Sequence, residues 1–494
     1  MNRIPALLCC VLLTAGVTCA QIADSPDGDA LRTKKSAETI TDGFPAPFPA
    51  RGGTVDWGLA LSGGGLRSAA FSIGAMKALY DLNLLDDIDV ISSVSGGGYA
   101  SYWLYSRYDG RDGTRFGDGA FSNTEFPVQV CTLANRSRFY PFIQMMAAGV
   151  TPRGAAFRSY RRAIQRSFGT DSTRERSLNA LNRQITETRA PFFILNTTLK
   201  KLTKREGEVQ SKIDKSFEIA PTYRGNYKLG FAAWPEGDIS VKSWADGVAM
   251  SGAAVRFKLS RQIPAVTGTG ELDLADGGLS ENLAALPLIR RGVKNIIIVD
   301  AENDPGYKFE SYCNLQSYLK SLHITLRVDS IDEFIDCKEK RHATRASVFT
   351  KVAVASGTAK SDDGATVDSN IFYIKMSRPA SIFSSASMKD AGMDPESMEY
   401  GGKNRPTECR PGQLKSIDRT TMLRDVLSYA DHLNSNWRWG KFVAFLPYIN
   451  YNFPQIATID QTFYSNQLDA FIGLGYLETI EMETQVARSP AFGN

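Results

Sequence analysis

The chain has 494 residues, of which 43% are hydrophobic and 22% are charged. These fractions are ordinary for a globular protein and exclude a chain that is disordered throughout. The formal net charge of +4 is only mildly positive, so it argues against nucleic acid as the main partner. After the N-terminus, no segment of the sequence approaches the roughly 20 apolar residues of a membrane-spanning helix.

The first 20 residues have the pattern of a signal peptide, with one positive charge at Arg3, an apolar middle and small residues near Ala20. Cleavage after Ala20 is the conventional site. Cleavage before Cys19 would produce a lipoprotein, which is less favoured because Gly16-Val17-Thr18 is a poor approach to such a cysteine. We therefore expect an exported protein, periplasmic or secreted. Residues 21–53 are polar and rich in proline and glycine, and we expect a flexible leader there.

A glycine-rich turn follows the first predicted strand, Trp57 to Leu61. Gly63, Gly64 and Gly65 end that strand before a helix predicted from Leu66 to Leu82, whose apolar residues indicate burial almost all round. Glycines at a helix N-terminus let backbone amides face a ligand. A nucleotide phosphate loop is a poor fit, because no Gly-Lys-Ser/Thr sequence ends this turn.

A serine elbow follows the second predicted strand, Ile88 to Val94. Ser95 is followed by three glycines, which predict a sharp turn into another helix and an exposed serine oxygen. Ser93 occupies the first glycine position of the usual Gly-x-Ser-x-Gly pattern, but serine is small enough for such a turn. Ser95 is therefore the candidate nucleophile.

A serine nucleophile needs a base, and the three histidines of the chain, His323, His342 and His432, lie in no recognisable triad motif. Asp276 is the candidate base, because it ends a short alternating run, precedes two glycines and is followed by Asn282. Other aspartates before a single glycine look like polar turns; among them are Asp109, Asp118, Asp246 and Asp363.

The remaining elements predict an α/β fold, a three-layer α/β/α sandwich with a mostly parallel central sheet. Strand-like runs begin at Pro191 and at Val293, and the small-residue run Met250 to Ala254 is expected to pack beside the site. We expect one catalytic domain over 54–480, since Ser95 and Asp276 must meet, with insertions at about 106–185 and 359–415 and a tail at 481–494. The polar segments 359–370 and 384–415 are predicted surface loops.

Outside the predicted signal peptide the cysteines are Cys131, Cys313, Cys337 and Cys409. In an exported protein they can pair in three ways, and the sequence does not choose among them. No close cluster of cysteine and histidine indicates zinc, so we expect no metal and no cofactor.

Two basic stretches are candidates for contact with an anionic membrane. The first contains Arg153, Arg158, Arg161, Arg162 and Arg166, and the second contains Lys200, Lys201, Lys204 and Arg205. The alternative is a solvated charged surface, which is the usual role of such runs.

Three blocks in this order resemble the patatin-like phospholipases, and more closely the branch with the catalytic domains of cytosolic phospholipase A enzymes. They are Ser62-Gly-Gly-Gly-Leu-Arg67, Ser93-Val-Ser95-Gly-Gly and Asp276-Gly-Gly. The segment from Phe453 to Tyr476 is also similar to the C-terminal part of bacterial members. The resemblance implies a Ser95–Asp276 dyad and an oxyanion hole at Gly63, Gly64 and Gly65, without a metal.

The implied activity is that of a serine lipid acyl hydrolase of the phospholipase A or lysophospholipase type, acting on phospholipid or lysophospholipid through an acyl-enzyme. Arg67 has two open roles: it binds lipid phosphate or the oxyanion region, or it braces the loop by pairing with a carboxylate. Two other functions stay open, an acyltransferase on the same dyad and a lipid-binding protein without catalysis. The intact glycines, serine and aspartate disfavour the second.

Overall fold

A computed structural model describes most of the chain between residues 55 and 483. The described residues are 55–108, 114–136, 153–170, 177–188, 190–200, 215–234, 243–253, 261–264, 266, 271–337, 341–342, 354–364, 367–390, 392, 408–435, 453–455 and 465–483. The predicted signal peptide, the predicted leader and most of the predicted tail lie outside these ranges.

Strands of the described chain form one large sheet and a separate small hairpin. In chain order the strands are β1 (Trp57–Leu61), β2 (Val90–Val94), β3 (Phe192–Leu199), β4 (Ser216–Ile219), β5 (Tyr223–Asn226), β6 (Gly230–Ala233), β7 (Arg261–Pro264), β8 (Glu271–Asp276), β9 (Asn295–Asp300), β10 (Ile324–Arg327), β11 (Ile335–Asp336), β12 (Arg341–His342), β13 (Val354–Ser361) and β14 (Asp368–Lys375). The small hairpin is β11 with β12, and the other strands of the described ranges belong to the large sheet.

The large sheet has the order β10-β13-β14-β9-β1-β2-β3-β4-β5-β6, and β8 pairs with both β3 and β7. Its centre, from β14 through β9, β1 and β2 to β3, is parallel, whereas the strands on both flanks pair antiparallel. Every residue of β1, β2, β3 and β9 is buried, as expected of parallel strands covered on both faces. The predicted α/β fold with a mostly parallel central sheet is confirmed.

Helices connect and flank these strands. In chain order they are α1 (Gly65–Asp81), α2 (Gly96–Tyr105), α3 (Asp118–Phe121), α4 (Glu125–Arg136), α5 (Arg153–Phe168), α6 (Leu178–Glu187), α7 (Trp244–Ser251), α8 (Leu286–Arg290), α9 (Glu310–Lys320), α10 (Asp329–Asp332), α11 (Ser385–Asp390), α12 (Arg419–Ser435) and α13 (Ser465–Ile480). Among the described residues, none of these helices has the length and apolar character needed to cross a membrane.

The C-terminal helix α13 packs closely along α1, the helix that follows the glycine-rich turn. A Cβ atom on Gly74 of α1 would lie 1.9 Å from the carbonyl oxygen of Ile472, and one on Gly475 of α13 would lie 2.0 Å from the carbonyl oxygen of Phe71. The two backbones therefore approach each other at positions where only glycine fits. This contact places the C-terminal segment against the helix that carries the glycine turn at its N-terminus.

The structure corrects part of both predicted surface loops. In the predicted loop 384–415, residues Ser385–Asp390 form the helix α11. Within the predicted loop 359–370, residues 359–361 belong to β13 and residues 368–370 to β14, and β14 pairs in parallel with β9. The hairpin of β13 and β14 has the weak apolar pattern of an antiparallel flank, since only Val354, Ala355 and Ala359 of β13 are buried. The predicted insertion at 106–185 contains the helices α3 to α6 within its described part.

Two disulfides join the cysteines outside the predicted signal peptide. Cys131 is bonded to Cys409, and Cys313 is bonded to Cys337. The first bond joins α4 to the segment before α12, and the second joins α9 to the region of the β11–β12 hairpin. Of the three pairings that the sequence left open, this is the one the structure contains.

Candidate active site

Ser95 lies at the turn between β2 and α2 in a backbone conformation that is rare for a residue with a side chain. Its φ is 50° and its ψ is −113°, and it is the N-cap residue of α2. Such a conformation costs about 1–3 kcal/mol and persists only where the surrounding structure enforces it. The predicted strand–serine–helix arrangement is therefore present, with the serine on a strained turn of the kind that presents a nucleophile.

The glycines after Ser95 allow the elbow to touch the glycine-rich turn. A Cβ atom on Gly96 would lie 2.2 Å from the carbonyl oxygen of Gly65, and one on Gly97 would lie 2.3 Å from that of Leu61. In addition, the Gly97 amide donates to the carbonyl oxygen of Ser62 at 3.1 Å. The nucleophile elbow and the glycine turn thus form one closely packed unit.

Asp276 lies at the end of β8 and faces Ser95. Within the sheet β8 is paired with β3, with Asp276 opposite Thr197, and β3 is also the neighbour of β2, which ends at the elbow. The Ser95 hydroxyl donates to Oδ2 of Asp276 at 3.1 Å, and the Gly278 amide donates to Oδ1 at 2.8 Å. Strand β3 therefore brings together the two residues predicted as nucleophile and base.

The environment of Asp276 suits a general base. Both Ser95 and Asp276 are buried. Burial raises the pKa of Asp276 from its ordinary value to about 6, against the opposing effect of the hydrogen bonds from Gly278 and Ser95. A carboxylate with a pKa near 6 is ionised at neutral pH and is more basic than an exposed aspartate, so it can accept a proton from a hydroxyl in contact with it.

The three glycines of the predicted oxyanion hole differ in their hydrogen bonds. The Gly63 amide donates to the carbonyl oxygen of Asn282 at 2.9 Å, so this amide is committed within the protein. Gly64 and Gly65 have positive φ angles of 147° and 64°, and within the described residues no acceptor is paired with their amides. The predicted set of donors therefore narrows to Gly64 and Gly65, and Gly63 shapes the loop instead.

Arg67 is a buried residue in the first turn of α1. Its Nε donates to the carbonyl oxygen of Ala301, directly after β9, at 3.1 Å. Burial lowers the pKa of Arg67 to about 10, while the nearby carboxylates of Glu302 and Asp300 oppose that shift. The Arg67 side chain therefore holds the glycine turn against the end of β9. It does this by its hydrogen bond to the Ala301 carbonyl and by electrostatic attraction to the carboxylates of Glu302 and Asp300.

One cavity of about 460 Å³ contains most of the predicted site residues. Its lining comprises Gly63, Gly64, Arg67, Ser95, Asp276, Gly278, Leu279, Ser280, Asn282, Glu302, Asn303, Glu310, Ser311 and Asn314. Gly65 is not in the lining, but its backbone contacts the elbow at Gly96. Leu279 is the single apolar side chain among these described lining residues, so the space beside the nucleophile is strongly polar.

The sequence analysis did not predict the wall of the cavity that is formed by residues after β9 and by the start of α9. Glu302 and Asn303 follow β9, and Glu310, Ser311 and Asn314 belong to the first turns of α9. Burial raises the pKa of Glu302. The available signal was the position of these residues after a buried strand next to β1, because polar residues at the carboxyl ends of neighbouring parallel strands share one edge of the sheet.

Asn282 links the glycine turn to the loop after Asp276. Its carbonyl oxygen accepts from Gly63, and its Oδ1 would lie 2.2 Å from a Cβ atom on Gly63 and 2.7 Å from one on Gly278. The sequence singled out this residue only as a neighbour of the Asp-Gly-Gly motif. Its contacts explain why glycine is needed at both positions.

His323, the histidine whose side chain is described, does not line the cavity. His323 is exposed and its Nδ1 lies 3.3 Å from Oδ2 of Asp362 on the protein surface. The side chains of His342 and His432 lie outside the part of the chain whose side chains are described. Within the described ranges, no group of three or more His, Cys, Asp and Glu residues is arranged to hold a metal ion.

Comparison with solved structures identifies a similar fold. Human GIVD cytosolic phospholipase A2 aligns with a TM-score of 0.51 at 11% identity, over 88% of this chain and 60% of that chain. A structure of the same human enzyme in complex with methyl gamma-linolenyl fluorophosphonate aligns with a TM-score of 0.48 at 12% identity, over 88% of this chain and 58% of that chain. This chain therefore spans less than two thirds of the length of these structures, and the first of them shows a shared fold.

Comparison with known protein sequences identifies a family match over part of the chain. No protein with a curated description matches the sequence. Residues 59–289, however, match the family model for the patatin-like phospholipases, and this segment includes the glycine turn, Ser95 and Asp276. The resemblance indicated by the three sequence motifs is thus confirmed over residues 59–289, which are similar to the patatin-like phospholipases.

Proposed function

We propose that the protein is a serine lipid acyl hydrolase of the phospholipase A or lysophospholipase type, with Ser95 as nucleophile and Asp276 as base. The observation that carries this proposal is the 3.1 Å hydrogen bond from a strained, buried serine to a buried carboxylate. The match of residues 59–289 to the patatin-like phospholipases supports a lipid ester as the substrate.

In the proposed reaction Asp276 accepts the hydroxyl proton while the Ser95 oxygen attacks the ester carbonyl carbon. The resulting oxyanion is stabilised by the amides of Gly64 and Gly65. Collapse breaks the ester bond, the leaving alcohol takes the proton from Asp276, and an acyl-Ser95 ester remains. Water then attacks this ester with Asp276 again as base, which releases the fatty acid and restores the serine.

The polar cavity favours a role in binding the part of the lipid near its headgroup. Only Leu279 among the described lining residues offers an apolar side chain, whereas Arg67, Glu302 and Glu310 bring charges of both signs. A hydrocarbon chain gains little from such a surface, but a glycerol backbone with a phosphate can form hydrogen bonds there. The acyl chain accordingly extends away from this cavity.

Arg67 combines both roles that the sequence left open. Its bond to the Ala301 carbonyl supports a bracing role, and its position in the cavity lining supports electrostatic attraction of a lipid phosphate. The main role that we propose for Arg67 is to brace the glycine turn, because its Nε is already hydrogen-bonded to the backbone and its side chain is buried.

We further propose that the protein is exported and acts at a lipid surface. Export is supported by the signal-peptide pattern of residues 1–20 and by the two disulfides, which persist in oxidising compartments. Peripheral contact with an anionic membrane is supported by Arg158, Arg162 and Arg166, which are exposed on α5. Their spacing of four residues places them along one side of the helix.

The test is fatty-acid release from vesicles of phosphatidylcholine and lysophosphatidylcholine by wild type, Ser95→Ala and Asp276→Asn. We expect release by wild type and loss in both variants at unchanged melting temperature. Equal release by Asp276→Asn would overturn the assignment of the base. Release that depends on an added alcohol and yields a new ester would instead identify an acyltransferase on the same dyad, and lipid binding without release would identify a binding protein.

A further inference from the structure

The backbone amide of Ser95 has a specific partner outside its own strand and helix. It donates to Oγ of Ser251 at 2.9 Å, and the Ser251 hydroxyl in turn donates to the carbonyl oxygen of Asn196 at 2.7 Å. Ser251 is the last residue of α7 and is fully buried. One hydroxyl therefore connects the turn that carries the nucleophile to a strand of the central sheet.

This contact occurs at the point where the elbow most needs support. An N-cap serine ordinarily turns its side chain back onto the amides of its own helix, but Ser95 makes no such bond and donates to Asp276 instead. The strained φ of 50° must then be maintained by contacts to the Ser95 backbone. The bond from its amide to Ser251 is the side-chain contact that does so.

The partner of Ser251 is itself fixed to the strand that ends at the elbow. The Asn196 side-chain amide donates to Oγ of Ser92 at 2.9 Å and to the carbonyl oxygen of Ser93 at 3.0 Å. The Asn196 carbonyl, which accepts from Ser251, belongs to β3, the parallel neighbour of β2. Ser251 thus links the Ser95 backbone to Asn196 of β3, and Asn196 is in turn hydrogen-bonded to β2.

The helix that carries Ser251 is anchored at both ends. At its start Ser243 and Asp246 form a reciprocal capping box. Directly after Ser251, the carbonyl oxygen of Gly252 accepts from the Tyr160 hydroxyl of α5 at 2.8 Å. A helix fixed in this way keeps its terminal hydroxyl in place, which a positioning group requires.

We propose that Ser251 is a positioning residue, which keeps the Ser95 backbone in the geometry where its hydroxyl meets Asp276. The inference rests on the proposed function, because it concerns the same nucleophile. Ser251 does not line the cavity and acts only through Ser95. Its removal should affect the chemical step and leave substrate binding unchanged.

The test compares Ser251→Ala with wild type, with Ser251→Thr as the conservative variant that restores a hydroxyl. We expect kcat to fall about tenfold in Ser251→Ala, which is the effect of losing about one hydrogen bond, with KM unchanged. We also expect the acid limb of kcat/KM to move to higher pH, since the Ser95 hydrogen bond lowers the pKa of Asp276. Ser251→Thr should recover most of kcat.

A matched control removes another buried hydroxyl near the elbow. Ser101 on α2 donates to the carbonyl oxygen of Gly98 at 3.0 Å and lies within hydrogen-bonding distance of Ser93. Ser101→Ala should lower the melting temperature as much as Ser251→Ala does. It should leave kcat and the pH of the acid limb of kcat/KM unchanged. Equal kcat and equal pH profiles in the two variants would overturn the positioning role and leave a structural one.

Labelling of Ser95 by a fluorophosphonate, located by peptide mass, separates this inference from the proposed function. Wild type that is labelled at Ser95 but hydrolyses no lipid would refute the proposed function, and the labelling rates would still test Ser251. The inference expects slower labelling of Ser251→Ala than of Ser101→Ala. Equal labelling rates would contradict the inference, and a wild type without label at Ser95 would contradict both proposals.

Discussion

The hydroxyl of Ser95 donates to Oδ2 of Asp276 across 3.1 Å, although 181 positions separate the two residues in the chain. The contact exists because β2, which ends directly before Ser95, and β8, which ends at Asp276, both pair with β3. The carboxylate is placed at the nucleophile by sheet pairing, in a buried setting that raises the pKa of Asp276 to about 6.

That pKa predicts the pH dependence of the reaction. The base must be ionised to accept the serine proton, so kcat/KM should rise with pH through about 6 and level off above it. Initial rates on a soluble ester between pH 4.5 and 8.5 measure this. Asp276→Asn should remove the activity, whereas Asp273→Asn, three residues earlier on β8, should leave both the activity and the pH profile unchanged. An acid limb below pH 5 in wild type would exclude Asp276 as the titrating group.

The glycine turn should be sensitive to a single methyl group. Gly65 has a φ of 64°, so Gly65→Ala strains the backbone and displaces an amide assigned to the oxyanion. Since one oxyanion donor is worth about 10²–10³ in kcat, we expect a loss of about a hundredfold or more. Gly364, on the β13–β14 hairpin, has a φ of 66° and open space around it, so Gly364→Ala applies the same strain far from the site. Equal activity of the two variants would contradict the role of the turn.

Much of the site could be predicted from the sequence because its parts are local. The glycines after β1 and the serine after β2 each follow a short apolar run, and the aspartate ends the alternating run of β8. A strand that ends in a tight turn leaves a recognisable pattern in the sequence. The parallel centre of the sheet follows from alternating strands and helices. These features require only knowledge of neighbouring residues.

The parts that could not be predicted depend on contacts between distant segments. Ser251 touches Ser95 across 156 positions, and Arg67 touches Ala301 across 234 positions, so neither partner is visible in a local pattern. The commitment of the Gly63 amide to Asn282 is likewise a tertiary contact. The sequence predicts a loop over residues 359–370, which include the end of β13 and the start of β14, because a sheet flank with little buried surface resembles a polar turn in composition.

The close contact of α1 and α13 predicts an unusual response to a helix-favouring substitution. Alanine in place of glycine in a helix usually stabilises by up to about 1 kcal/mol. Gly74→Ala should instead destabilise, because its Cβ would meet the Ile472 carbonyl oxygen at 1.9 Å and force the helices apart. Thermal or urea unfolding measures this. A melting temperature of Gly74→Ala at or above that of wild type would show that α13 does not pack on α1 in solution.

The exposed arginines of α5 predict a salt-dependent interaction with membranes. Arg158→Glu, Arg162→Glu and Arg166→Glu combined should weaken binding to vesicles of anionic phospholipid, by about 1 kcal/mol for each charge near the surface, and leave activity on a soluble ester unchanged. Vesicle co-sedimentation at low and high salt is the measurement. The control variant has the same change in net charge. It replaces three exposed lysines outside α5 by glutamate, namely Lys320, Lys360 and Lys389. Equal loss in both would show a general charge effect.

The two disulfides should separate stability from activity. In the chain-entropy model the Cys131–Cys409 bond, with a separation of 278, contributes about 5.6 kcal/mol, and the Cys313–Cys337 bond, with a separation of 24, about 3.4 kcal/mol. Only the second bond tethers α9, whose first turns line the cavity beside Ser95. Loss of that tether loosens one wall of the site.

Cys313→Ser with Cys337→Ser should therefore reduce activity per folded molecule, whereas Cys131→Ser with Cys409→Ser should cost more stability and less activity. Rates on lipid vesicles, corrected for the folded fraction from circular dichroism, measure the two effects. Reductant added to wild type should reproduce the combined losses of stability and activity of the two double variants. If the Cys131 pair reduced activity per folded molecule as much as the Cys313 pair, the effect would not be specific to the bond on α9, and the prediction that this bond supports the cavity wall would be wrong.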